Sequence, residues 1–84
     1  MYLHIGNEIS IPLRKIIAII DLETADPTGR LQELIELAER QQKVNVTAGK
    51  SDPKSCIITD DRLYLSSISA LTLARRAEIK DRLQ

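Results

Sequence analysis

The sequence predicts an α+β fold with a small, mostly antiparallel sheet of about four to five strands and two helices. Short segments that alternate apolar and polar residues are separated by turn residues, as in β-hairpins. Two longer segments repeat their apolar residues at helical spacing instead. With 84 residues, the chain has the length of one compact domain, which we expect to span residues 1–84.

The composition argues against several classes of protein. At 43% hydrophobic and 29% charged residues, the chain is too apolar for a disordered tail. The longest apolar run is Ile16–Ile20, whereas a membrane span needs about 20 residues. The N-terminus lacks a cationic segment followed by a long apolar one, so we expect no secretory signal. These features predict a cytoplasmic protein without a membrane partner.

Packing must supply the stability of this domain. Cys56 is the only cysteine, so no disulfide can form within the chain, and no Cys/His spacing is typical of structural zinc. A domain of this size buries only about 60–65% of its unfolded surface. Ile and Leu nevertheless supply 23 of the 84 residues. We therefore expect copies of the chain to associate and bury surplus apolar surface between them.

The N-terminal segments alternate in the way that strands do. Residues 2–5 alternate up to the turn pair Gly6-Asn7, and residues 8–11 alternate again until Pro12 marks an edge or a bend. The sequence therefore predicts two short strands joined by a turn.

A further strand begins near Arg14 or Lys15 and runs through Asp21. Strict alternation gives one face Ile16, Ala18 and Ile20 and the other face Ile17 and Ile19. Both faces of this strand are then apolar. One face can take a helix, and we expect the other face to meet a second subunit.

Two helices are predicted from capping residues and periodicity. Asp26 is a candidate cap and Pro27 suits a first helical position, so a helix is predicted over residues 27–42. Ser69 is the candidate cap of the last helix. The apolar stripe of that last helix is Ala70, Leu73, Ala74 and Ala77, flanked by Leu71 and Ile79. This stripe is a second candidate for contact between subunits.

The middle of the chain predicts further strands and a basic loop. Residues 43–48 alternate and are rich in β-branched side chains, and residues 49–54 have the composition of a loop. Residues 55–59 and 63–66 are two short strands around a tight turn at residues 60–62.

The formal net charge is zero, but the charge is unevenly distributed. Residues 1–42 contain seven acids and four bases, a net of −3, and residues 43–84 contain five acids and eight bases, a net of +3. Opposite charges of this kind allow head-to-tail contact between copies or a basic face for a polyanion. An ordinary mixed surface gives the same totals.

A catalytic interpretation has few residues to use. Asp60 and Asp61 are explained by a turn, His4 lies in a strand without a partner in sequence, and Cys56 is typical of a small buried apolar residue. Phosphate-loop, dinucleotide and nucleophile-elbow motifs do not occur. We therefore expect no enzymatic activity, no cofactor, no metal and no small-molecule substrate.

A binding interpretation has more support. Lys50 and Lys54 place two ammonium groups in a loop that can follow a phosphate backbone, and Arg14 and Lys15 add two cations before a strand. About three phosphate contacts per subunit give a log–log salt slope of about −2.7, which corresponds to weak, non-specific binding. An oligomer can raise the avidity by about 10² to 10⁴. Oligomerisation and binding to double-stranded DNA therefore form one hypothesis.

Over residues 2–76 the chain resembles the bacterial extracellular matrix regulatory proteins (Rem family), and in particular their B-type members. The segments with this resemblance are Tyr2–Asn7, Lys15–Ile19, Pro53–Asp60, Tyr64–Ser66 and Ser69–Thr72. The resemblance implies a cytoplasmic DNA-binding regulator from biofilm-forming bacteria. In the A-type members it further implies ring-like homo-oligomers with basic loops on the outside, which DNA can wrap to activate matrix genes.

The site residues of the A-type members transfer unevenly to this chain. An arginine of the A-type proteins falls at Lys15, or at the adjacent Arg14. An arginine pair after the loop glycine corresponds to Lys50 and Ser51, and a further arginine corresponds to Lys54. Lysine keeps the charge but loses the bidentate grip on phosphate, so we expect weaker DNA binding than in the arginine-bearing relatives.

Two functional hypotheses follow, with a third of lower standing. The first is an oligomeric DNA-binding transcriptional regulator that contacts phosphates through Arg14, Lys15, Lys50 and Lys54. The second is an oligomeric structural or protein-interaction module with little or no DNA binding. The third is a small enzyme, which would need His4, Asp60 and Cys56 to converge.

Overall fold

In the computed structural model of the chain, residues 1–24, 26–49 and 51–82 are described, with side chains as far as Glu78. These residues form six strands and two helices. The strands are β1 (Tyr2–Gly6), β2 (Ile9–Pro12), β3 (Ile16–Asp21), β4 (Val44–Val46), β5 (Ser55–Thr59) and β6 (Leu63–Ser66), and the helices are α1 (Arg30–Arg40) and α2 (Ala70–Arg82). The predicted α+β class with two helices is confirmed.

The strands form a two-stranded hairpin, β1–β2, and a four-stranded sheet in the order β3-β5-β6-β4. All pairings are antiparallel except β4 with β6, which is parallel. The predicted mostly antiparallel sheet and the predicted β5–β6 hairpin are confirmed. Strand β4 is shorter than the predicted strand over residues 43–48 because the chain leaves the sheet after Val46.

The β1–β2 turn is closed by residues in the left-handed region. Asn7 and Glu8 have φ angles of 48° and 63°, as the two-residue turn of a twisted hairpin requires. After β2 ends at Pro12, a single 3₁₀ turn over Leu13–Lys15 leads into β3. The two predicted N-terminal strands and the bend at Pro12 are confirmed.

A β-bulge at the start of β3 changes which of its side chains share a face. Ile16 pairs with Thr59 but Ala18 pairs with Ile58, so Ile17 is the extra residue. Ile16 and Ile19 consequently pack on one side of the sheet and Ile20 on the other. The strict alternation predicted for this strand is therefore wrong, because an inserted residue reverses the alternation. Ile17 itself is 68% exposed.

Both faces of the four-stranded sheet are covered within one chain. The hairpin and α2 cover the first face, and the fully buried side chains there are Leu3, Ile5, Ile57 and Leu73. Helix α1 covers the second face through Ile35 and Ala38, which pack with Cys56 and Leu63. The expectation that one whole face waits for a second subunit is therefore wrong, because the N-terminal hairpin fills that place.

Helix α1 begins three residues later than the sequence predicts. The Gly29 N–H donates to the Asp26 carbonyl (3.1 Å), and Gly29 has a φ of +69°, so residues 26–29 form a turn instead of helix. The Asp26 carboxylate still accepts the Gln32 N–H (3.2 Å). Asp26 therefore satisfies a donor of the first helical turn, although Pro27 is not in the helix.

Helix α2 begins as predicted, with the Ser69 hydroxyl accepting the Thr72 N–H at 3.2 Å. Its buried side is centred on Leu73 and includes Ala77, whereas Ala74 and Leu71 are exposed. The apolar stripe is therefore narrower than predicted. Neither helix, as far as the structure describes the chain, is long and apolar enough to cross a membrane.

Candidate nucleic-acid interface

The predicted DNA-contacting cations lie at two opposite ends of the sheet. Arg14 and Lys15 are exposed in the 3₁₀ turn before β3, and Lys54 is exposed immediately before β5. Because β3 and β5 are antiparallel, these starting points are separated by the length of the strands, about 20 Å at about 3.3 Å per residue. Lys50 lies outside the described residues. The structure therefore does not bring Lys54 together with Arg14 and Lys15.

Backbone hydrogen bonds hold Lys54 at the end of the sheet where β3 and β6 finish. The Lys54 N–H donates to the Ser66 carbonyl (2.7 Å), and the Leu22 N–H donates to the Lys54 carbonyl (3.0 Å). The loops at this end contain the carboxylates of Glu8, Asp21, Glu23, Asp26 and Asp52. Arg30 begins α1 there. We call this the acidic end.

The opposite end of the sheet is formed by the starts of β3, β6 and β4. Ile16 lies opposite Thr59, the Thr59 N–H donates to the Arg62 carbonyl (3.0 Å), and the Leu63 N–H donates to the Lys43 carbonyl (2.8 Å). These contacts place basic residues side by side across the strand ends. Among the described side chains, this end carries the cations Arg14, Lys15, Arg40, Lys43 and Arg62 and the carboxylates Glu39, Asp60 and Asp61, and we call it the basic end.

Arg62 is the most constrained cation of the basic end. Its Nη1 donates to Asn45 Oδ1 on β4, and its Nε lies 4.0 Å from Asp61 Oδ2. Asp61 in turn accepts a hydrogen bond from the Thr59 hydroxyl (3.0 Å). This hydrogen bond, followed by the charges of Arg62 and Lys15, lowers the pKa of Asp61. Asp61 therefore stays ionised and offsets part of the positive charge.

Sequence reasoning missed Arg40, Lys43 and Arg62 as candidate binding residues. Arg62 was assigned only to a turn, and Lys43 only to the start of a strand. The available signal was that Lys15 and Lys43 begin predicted strands and that Arg62 directly precedes one. These cations can be grouped only when it is known that β4 pairs with β6 in parallel, and no local sequence pattern indicates that pairing.

The residues of the catalytic interpretation do not converge. Cys56 packs beneath α1, and burial raises the pKa of its thiol to about 11. His4 is exposed on the hairpin that covers the other face, and Asp60 is exposed in the β5–β6 turn. Among the described side chains, no group of three His, Cys, Asp or Glu residues could hold a metal ion.

Comparison with known proteins identifies the family. A family model described as RemA-like, extracellular matrix regulatory protein A-like, matches residues 2–77. The chain belongs to this family. Extracellular matrix regulatory protein B of Bacillus subtilis (strain 168) is 29% identical to it over 79 residues, which is 93% of this chain and 91% of the relative. The resemblance to the extracellular matrix regulatory proteins is confirmed.

Proposed function

We propose that this RemA-like protein is a cytoplasmic, ring-like homo-oligomer that binds double-stranded DNA and regulates transcription of extracellular matrix genes. The observation on which the proposal chiefly depends is the family match over residues 2–77 together with a relative named for matrix regulation. The cluster of exposed cations at the basic end supports a polyanionic partner. The proposal includes no catalytic step and no cofactor.

In this proposal the protein contacts phosphates without reading bases. The contacts predicted from the sequence are Arg14, Lys15, Lys50 and Lys54; of these, Arg14 and Lys15 lie in the 3₁₀ turn before β3, and Lys54 lies immediately before β5. Lysine and arginine on loops neutralise phosphates and release counterions, whatever the base sequence. One subunit offers only a few such contacts, so affinity depends on repetition of the subunit along the duplex.

Exposed apolar side chains support self-association. Ile17, Val46 and Leu71 are each more than half exposed. Ile17 and Val46 lie on β3 and β4, which are the two edge strands of the sheet. An edge strand with an outward apolar side chain is a site at which another chain can pack. Single outward residues of this kind, and not a whole sheet face, are available for contact between copies in the part of the chain that the structure describes.

The test is duplex binding by the purified protein at low salt. Electrophoretic mobility shifts with two unrelated 30-base-pair duplexes should show retardation of both with similar affinity, because phosphate contacts are independent of sequence. The variant Arg14→Glu/Lys15→Glu should lose the shift and keep the oligomer mass. No retardation of either duplex at low salt would contradict the proposal.

The alternative is a structural or protein-interaction module with little or no DNA binding. Helix α1 favours it, because Leu34 and Leu37 are 41% and 46% exposed on a helix whose other exposed residues include Glu33 and Glu36. An acidic helix with outward leucines suits a protein partner better than a polyanion. Under this alternative, Arg14→Glu/Lys15→Glu leaves matrix production unchanged in cells.

A further inference from the structure

We propose that the duplex crosses the basic end of the sheet, where Lys43 and Arg62 contact its phosphates beside Arg14 and Lys15, and that Lys54 lies outside this contact. The inference rests on the proposed DNA binding and specifies the surface that performs it. In this inference, Lys43 and Arg62 bind a phosphodiester backbone.

The backbone sets the spacing of the cations at the basic end. Lys15, Arg62 and Lys43 precede β3, β6 and β4, whose ends are joined through Thr59 and by the Leu63-to-Lys43 hydrogen bond. Neighbouring strands lie about 4.8 Å apart, so the row from β3 to β4 is about 15 Å wide. This width equals the axial rise of about four nucleotides of one DNA strand. A row of cations across the strand ends is therefore wide enough to reach more than one phosphate of a backbone.

Arg62 is held in position before any phosphate binds. Its side chain is 36% exposed and is held by the bond from Nη1 to Asn45. A guanidinium has five N–H donors, and this bond occupies one of them. An arginine fixed before binding loses less side-chain entropy when it contacts a phosphate, and its planar fork matches the phosphate oxygens. Asn45 is thus a positioning residue for Arg62.

The two ends of the sheet differ in charge. Among the described residues, Lys54 and Arg30 share their end with five carboxylates, whereas the basic end has five cations against the three carboxylates of Glu39, Asp60 and Asp61. A polyanion is attracted by the summed field of a surface and not by one side chain. The field of the acidic end opposes an approach to Lys54. We therefore expect the phosphates to bind at the basic end.

Matched charge reversals at the two ends test the inference. Lys43→Glu/Arg62→Glu reverses two cations at the basic end, and Arg30→Glu/Lys54→Glu reverses two at the acidic end, so the net charge falls equally. Fluorescence anisotropy with a labelled 30-base-pair duplex gives the affinity and its salt dependence. The basic-end variant should bind at least about 10-fold more weakly, with a salt slope smaller by about 1.8 for each subunit engaged. The acidic-end variant should stay within about two-fold of the wild-type affinity.

The double variant removes the hydrogen bond from Arg62 to Asn45 and could therefore disturb the fold. The single variant Lys43→Glu is the control for this, because Lys43 is exposed. Circular dichroism checks that each variant is folded, and Lys43→Glu should still weaken binding several-fold. Weak binding by the acidic-end variant with unchanged binding by Lys43→Glu would overturn the inference while leaving DNA binding intact. Absence of binding by the wild type would overturn the proposed function itself, and the inference with it.

Discussion

At the scale of single residues, Asp61 limits the positive charge of the basic end. Its carboxylate lies beside Arg62 and accepts a hydrogen bond from Thr59, and these contacts and Lys15 keep its pKa low. An ionised carboxylate beside the binding cations repels phosphate. Asp61 therefore opposes the interaction that we propose for its neighbours.

We predict that Asp61→Asn binds duplex DNA several-fold more tightly than the wild type. The asparagine Oδ1 can still accept the Thr59 hydroxyl, so only the charge is removed. Asp52→Asn makes the same change of charge at the acidic end and should leave the affinity nearly unchanged. Anisotropy titrations at one salt concentration compare the two variants. Equal gains from both would mean that only net charge matters and not position.

Cys56 yields a prediction about pH. Burial raises the pKa of its thiol from the usual 9.0 to about 11. The folded protein therefore holds this proton more tightly than the unfolded chain does. The associated stability is complete below pH 9 and is lost as the pH rises from 9 to 11. Between those values the urea midpoint of the wild type should fall more steeply than that of Cys56→Ala.

The same burial makes the Cys56 thiol slow to react. Ellman's reagent at pH 8 should label the folded protein only slowly and the urea-unfolded chain at once. Rapid labelling of the folded protein would show that Cys56 is accessible and would contradict its position beneath α1.

At the scale of secondary-structure elements, α1 ends with Gln42 in a position where helices usually have glycine. The Lys43 N–H donates to the Ala38 carbonyl (2.8 Å) and the Gln42 N–H to the Glu39 carbonyl (3.0 Å). This pair of bonds is a Schellman motif, which normally has glycine in its left-handed position. Gln42 occupies that position here, with a φ of +58°.

We predict that Gln42→Gly stabilises the protein. Glycine removes the steric cost of the left-handed conformation, about 1 kcal/mol, which in a domain of this size raises Tm by about 4–8 °C. Gln41→Gly is the matched control, because Gln41 has a φ of −89° and gains nothing from glycine. Thermal unfolding followed by circular dichroism compares the variants. A lower Tm for Gln42→Gly than for Gln41→Gly would contradict the motif.

Local chemistry predicted most of the elements, and the exceptions have local causes. The β5–β6 hairpin, the turn after β1 and the Ser69 cap each depend on residues that are close in sequence, although the first turn is formed by Asn7 and Glu8 and not by the predicted Gly6-Asn7 pair. The bulge at Ile17 is invisible in the sequence because a run of isoleucines gives no sign of where alternation breaks. Helix α1 begins at Arg30 and not at the predicted residue 27, because Gly29 adopts a left-handed conformation. The periodicity of apolar residues does not reveal such a conformation.

At the scale of the whole molecule, the candidate site depends on which strands are neighbours. The sequence identified Arg14 and Lys15, but it grouped them with Lys54, which the antiparallel pairing of β3 and β5 places at the other end. The parallel pairing of β4 with β6 brings Lys43 beside Arg62, 19 positions away in sequence. Charge totals for the two halves of the chain could not reveal this, because each half contributes cations to the basic end.

Self-association should depend on Ile17. Its side chain is 68% exposed by the bulge, and the neighbouring isoleucines of β3 pack inside the chain. We predict that Ile17→Glu reduces the oligomer to monomers while the fold and Tm remain close to those of the wild type. Ile17→Val, which keeps an apolar side chain, should retain the oligomer. Light scattering measures the mass, and an unchanged oligomer in Ile17→Glu would exclude β3 as the contact.

The most direct test of repeated phosphate contacts is the salt dependence of duplex binding by the wild-type protein, measured by anisotropy from 50 to 300 mM KCl. The account predicts a linear log–log plot steeper than about −2.7, since several subunits each release counterions. It also predicts a slope of about −2.7 or shallower for any monomeric variant. A wild-type affinity that does not change with salt, or no binding at 50 mM, would contradict it.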